Sequence, residues 1–95
     1  MATFLLIHID KPSSLALRMA NREAHLDYCR ANASIIRLGG PIMNEAGEMA
    51  GSMLILETED AAAAMAFSDN DPYTKANLFQ RRNVSPFKVT MGAIS

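Results

Sequence analysis

The chain has 95 residues, 49% of them apolar and 20% charged, with a formal net charge of −1. That length makes one domain over residues 1–95, and that composition is globular rather than disordered. There is no basic excess to neutralise phosphates and no apolar run near the roughly 20 residues that cross a bilayer, so neither nucleic acid nor membrane is an expected partner.

The apolar stretch over residues 4–9 reads as a strand closed by Asp10-Lys11-Pro12. It has no basic leader and is too short for a secretory signal. Ser13 or Ser14 caps a helix expected over residues 15–32. Residues 35–38 form a second strand, which Gly39-Gly40-Pro41 should stop. The polar turn over residues 44–48 returns the chain antiparallel into a third strand at 52–57. Asp60 caps an alanine-rich second helix ending near Phe67. Asp71-Pro72 starts a short helical turn, with Asn77 suited to a left-handed exit. Residues 84–91 form the last strand, in which Pro86 marks an edge, a bulge or a late start. Cys29 is the single cysteine and forms no internal disulfide, so the cytoplasm is the expected compartment.

The order βαββαβ predicts an α+β, ferredoxin-like domain: a four-stranded antiparallel sheet with two helices on one face. Strand three, with Met53, Leu54, Ile55 and Leu56, is apolar on both sides. Strand one divides Phe4 and Leu6 from Leu5, Ile7 and Ile9. A sheet with one wet face alternates polar and apolar residues, and two helices cover only one face. The second face calls for a second copy of the chain, packed sheet on sheet as a homodimer.

At about 100° per residue, Glu23, Asp27 and Arg30 form the solvent face of helix one. The opposite arc holds Arg18, Asn21, His25 and Cys29, with Arg22 at its edge. Arg18 and His25 stand two turns apart on one face. Burying such groups costs several kcal/mol each unless they are partnered, and Asp10 and Asp71 are the candidate acceptors. A lone helix histidine is ordinarily a satisfied structural residue, and Asp71 alone is equally well a helix cap. An inward cation, an imidazole and a nearby carboxylate together point to a small-molecule site.

Those residues also carry a family resemblance. Asp10-Lys11-Pro12, Ser14-Leu15 with Arg18, and Arg22-Glu23-Ala24-His25-Leu26 resemble the opening of the YCII (YciI-like) family. Gly40-Pro41, Gly47, Gly51-Ser52, Asp71-Pro72-Tyr73 with Phe79, and Pro86-Phe87-Lys88 extend the match from about residue 4 to residue 90. Asn77 stands where many of its members have glycine. The resemblance implies a dimeric α/β-barrel and a His–Asp dyad falling on His25 and Asp71. One type of member removes chloride from a chlorinated hydroxyhydroquinone, with the dyad starting the proton transfer.

A neutral imidazole takes a proton from a hydroxyl or an acidic C–H near neutral pH. Asp71 would orient the ring of His25, and Arg18 would hold an anionic oxygen. Ser52 and the backbone at Gly40 and Pro41 would add polar contacts, and Pro72 and Tyr73 an apolar wall. This chemistry calls for no cofactor. His8, His25 and Cys29 match no zinc spacing, so no metal is expected. Cys29 reads as a small core residue, although it shares the face of His25. Arg81 and Arg82 read as a solvated pair on the last strand.

The expected function is cofactor-free acid/base catalysis, an elimination or isomerisation of a small aromatic or oxygenated metabolite. The alternative is a non-catalytic dimeric domain that binds a metabolite or a protein partner through the same pocket. A ferredoxin-like RNA binder would need aromatic and basic residues on the sheet, where this chain has aliphatic ones.

Overall fold

A computed structural model describes residues 1–93. The elements are β1 (Ala2–Asp10), α1 (Leu15–Ala31), β2 (Ile36–Met43), β3 (Met49–Thr58), α2 (Ala61–Asn70), α3 (Pro72–Lys75) and β4 (Phe79–Pro86). The strands form one antiparallel sheet in the order β2-β3-β1-β4. This is the ferredoxin-like arrangement that the element order predicts.

Alternation along β1 sets the layers. Phe4, Leu6, His8 and Asp10 are buried on the helix side, opposite Leu56, Leu54 and Ser52 of β3. Phe4, Leu6, Leu54 and Leu56 pack with Ala64 and Phe67 of α2, and Tyr28, Cys29, Ile35, Ile36 and Val84 close around them. Each fully buried leucine contributes roughly 1.5–3 kcal/mol. The inner face is therefore graded. Its Phe4 end is apolar and holds the core, whereas its Asp10 end is polar. On the outer side Leu5, Ile7, Ile9, Met53 and Ile55 remain partly exposed.

Local chemistry explains the joints. Asp60 accepts from the Ala63 N–H at 2.9 Å and starts α2. Asp71 accepts from the Tyr73 N–H at 2.9 Å and starts α3, with Pro72 in the first turn. Asn77 takes the left-handed conformation at φ 61°. Ser14 is the N-cap residue of α1, yet its side chain makes no capping bond; Ser13, at φ 58°, turns the chain before it. The hairpin between β2 and β3 closes with Asn44 N–H on the Glu48 carbonyl at 2.9 Å, and Gly47 supplies φ 80°.

Two strand boundaries differ from expectation. β2 continues through Gly39, Gly40 and Pro41 instead of stopping there. It is an edge strand, where a residue lacking an N–H is tolerated. β4 occupies 79–86 rather than 84–91. Pro86 ends the strand, and Arg81, Arg82 and Asn83 pair with Ile9, His8 and Ile7. A register shift between Ile9 and Asp10 accommodates the join.

Candidate functional site

The polar end of the inner face meets α1. Arg18 is the only fully buried residue of that helix. Its Nε donates to Asp10 Oδ2 at 2.7 Å, and its Nη2 donates to Asp10 Oδ1 at 3.0 Å and to Ser52 Oγ at 2.8 Å. The Arg18 and Asp10 side chains are 3% and 5% exposed, so the pair is desolvated and holds α1 to β1. Its Cζ lies 4.5 Å from the centre of the Tyr73 ring.

Two turns on, His25 Nδ1–H donates to Asp71 Oδ1 at 2.8 Å, with Oδ2 at 3.1 Å. The ring stacks on Tyr73, with centroids 4.1 Å apart and planes inclined at 15°. Asp71 thus has two jobs, capping α3 and fixing the orientation of His25. The bond at Nδ1 leaves Nε2 as the acceptor nitrogen of the neutral ring. The Cys29 thiol, one turn further along α1, lies 3.5 Å from Nε2 and donates to it. Burial first, and the charge of Asp71 second, push the Cys29 thiol up to about 11, so it stays protonated.

Between α1 and the sheet is a cavity of about 170 Å³ lined by Arg18, Arg22, His25, Cys29, Ser52 and Tyr73, with Gly39, Gly40, Pro41 and Met49 along the hairpin side. A cavity of roughly 150 Å³ accommodates one benzene ring. A Cβ on Gly39 would collide with the Leu54 side chain, so glycine is what keeps this wall thin. Of the residues expected at a site, His25, Arg18, Gly40, Pro41, Ser52 and Tyr73 share this cavity. Asp71 stands behind His25, and Pro72 is not among the lining residues.

A second polar cluster backs the site. His8 is 3% exposed, and its Nε2 is 2.7 Å from Ser68 Oγ. Arg82, exposed as the sequence suggests, also donates to the same oxygen at 2.9 Å and to Asp69 at 2.7 Å. Nδ1 of His8 has no partner among the described residues. Burial, with Arg82 and His25 adding to it and Asp71 opposing, pulls His8 down to about 4. Ser68 also anchors the elbow before Asp71, since its carbonyl accepts from Asp71 N–H at 3.3 Å and Thr74 Oγ1 at 2.7 Å. Sequence reasoning did not find this cluster, whose signal is the two-residue alternation that aligns His8 with Leu6 and Asp10. Among the described residues, no three His, Cys, Asp or Glu side chains come together as a metal site. Among the described residues, no helix is long and apolar enough to cross a membrane.

The family model of the YCII-related domain matches residues 2–88. The chain belongs to the YCII family. "Protein YciI" of Escherichia coli O6:H1 is 37% identical over 87 residues, covering 83% of this chain and 89% of that one. Among solved structures, 5-chloro-2-hydroxyhydroquinone dehydrochlorinase (TftG) of Burkholderia phenoliruptrix AC1100, in complex with 2,5-dihydroxybenzoquinone, superposes with a TM-score of 0.84 at 37% identity. The match covers 90% of this chain and 93% of the dehydrochlorinase. An antibiotic biosynthesis monooxygenase shares the fold alone, with a TM-score of 0.58 at 11% identity over 96% of this chain and 100% of its own.

Proposed function

We propose that this YCII protein is a cofactor-free enzyme that moves a proton on a small aromatic or oxygenated molecule bound between α1 and the sheet. The observation that carries this reading is the His25–Asp71 bond of 2.8 Å beside a ring-sized cavity. Asp71 holds Nδ1–H, so Nε2 is the basic nitrogen. It takes a proton from a substrate hydroxyl or acidic C–H, and the released electron pair forms a new C=O or C=C bond. In an elimination the leaving group departs with its own bonding pair; in an isomerisation His25 returns the proton elsewhere. Asp71 stabilises the imidazolium between these steps. The substrate displaces the Cys29 thiol from Nε2. Arg18 and Ser52 present donors to a substrate oxygen, Gly40 and Pro41 border it, Tyr73 supplies a flat wall, and Pro72 fixes the turn behind that wall. The relative's complex with a dihydroxybenzoquinone supports a ligand of this shape.

The first assay is chloride release from 5-chloro-2-hydroxyhydroquinone, alongside titration with 2,5-dihydroxybenzoquinone while the His25 ring resonances are followed. His25→Gln and Asp71→Asn are each expected to lower turnover by about 10²–10⁴ while the fold persists. Normal turnover in either variant overturns the dyad. A His25 ring that ignores the ligand and does not titrate between pH 5 and 9 favours a binding domain without catalysis.

The partly exposed outer face, with Leu5, Ile7, Ile9, Met53 and Ile55, supports sheet-on-sheet pairing with a second copy. Sedimentation at micromolar concentration is expected to give a homodimer, and a stable monomer would refute the pairing. With its lone cysteine, the composition suits a reducing, cytoplasmic setting.

A further inference from the structure

We infer that the cavity selects a substrate bearing a negative charge, and that Arg22, rather than Arg18, is the residue that holds it. This rests on the cavity being the substrate site. Three side chains able to carry positive charge line it, Arg18, Arg22 and His25, and no carboxylate does. Two of the three already have counter-charges behind them. Both carboxylate oxygens of Asp10 take Arg18 at 2.7 and 3.0 Å, and Asp71 takes His25 at 2.8 Å. Arg22 is different. It is half-buried, and among the described residues it has neither a salt bridge nor a side-chain hydrogen bond. The acids nearest to it on α1, Glu23 and Asp27, lie on the solvent face, and Asp27 is held there by Arg30 at 2.8 Å. The charge of Arg22 also reaches the cavity wall, where it opposes the upward push that burial gives the Tyr73 phenol.

A half-buried guanidinium with five donors and no acceptor is built for a planar carboxylate or an equivalent oxyanion. Arg22 precedes His25 by three residues, which puts both on one helix face with Cβ atoms about 5–6 Å apart. Both side chains line one cavity with room for about one ring, so the anion and the acidic hydrogen belong to the same ring-sized substrate. The class is a one-ring molecule carrying a carboxylate or a comparable oxyanion and, at another ring position, its acidic hydrogen. Arg18 then serves as a neutralised wall and a donor to uncharged oxygen.

The test compares 2,5-dihydroxybenzoate with its neutral isostere 2,5-dihydroxybenzamide by calorimetry at neutral pH and low salt. It uses the wild-type protein, Arg22→Gln and Arg22→Lys, and the His25 ring resonances are followed in parallel. The benzoate is expected to bind wild type about tenfold more tightly than the benzamide. Arg22→Gln should erase that preference, Arg22→Lys should keep part of it, and added salt should weaken it. Equal wild-type affinities overturn the inference, as does a preference that survives Arg22→Gln. If both ligands still move the His25 resonances in that case, the proton-transfer reading stands and only the assignment of Arg22 falls. If neither ligand binds and His25 is unmoved, both fall together.

Discussion

Acid should destabilise this protein through His8, and the size of the effect follows from its surroundings. In the unfolded chain an imidazole takes a proton near pH 6.5. In the folded protein burial and Arg82 hold His8 at about 4. The unfolded state therefore binds an extra proton over that interval. His8 costs nothing above pH 6.5, and the penalty grows as pH falls toward 4. It amounts to about 1.4 kcal/mol at pH 5.5 and about 2.6 kcal/mol at pH 4.5. For a chain of this size, with a urea slope near the low end of 1–3 kcal/mol/M, the lower pH shifts the midpoint by roughly 1–2 M. Other groups titrate as well, so the informative quantity is the difference in stability between wild type and His8→Gln at pH 7.5, 5.5 and 4.5. That difference should shrink or reverse by the stated amounts. If it stays flat to within about 0.5 kcal/mol, His8 is not held neutral by the fold. Direct titration of the His8 ring by NMR gives the same answer if the variant does not fold.

Two further substitutions probe the frame. Asp10→Asn leaves the buried Arg18 charge without its carboxylate and should cost about 3–5 kcal/mol in urea unfolding; replacing both residues by Leu and Met should cost much less. Gly39→Val drives a side chain into Leu54 and the cavity, with an expected loss of about 1–3 kcal/mol and of affinity for 2,5-dihydroxybenzoquinone. Ligand affinity equal to that of wild type in Gly39→Val would mean that the ligand sits elsewhere.

Much of this architecture was legible from periodicity. The wheel of α1 put Arg18 and His25 opposite Glu23, Asp27 and Arg30, and the buried position of Arg18 agrees. The two carboxylates offered as acceptors divide the work, Asp10 taking Arg18 and Asp71 taking His25. Alternation and turn chemistry also gave the strand order its pattern. Edge strands were harder. Gly39-Gly40-Pro41 carries every local sign of a stop, yet an edge strand needs ladder bonds on one side only, and β2 passes through it. The last strand begins at Phe79 rather than at residue 84, because tertiary pairing with β1 carries the polar residues 81–83 into the sheet. The role of Arg82 depends on Ser68, fourteen residues away, and no local pattern links them.

The graded inner face of the sheet separates two histories in the folding of the chain. The apolar end, joining β1, β3 and α2, shares only Leu54 of its buried cluster with the cavity, so most of its stability is independent of the site. The site closes only when α1 meets the α2–α3 elbow, through a bond between residues 46 positions apart. A contact of that span comes with a loop-closure cost that the core must first offset. The His25–Asp71 bond is thus a report on completed folding: a chain with its core formed but α1 undocked leaves the His25 ring unoriented.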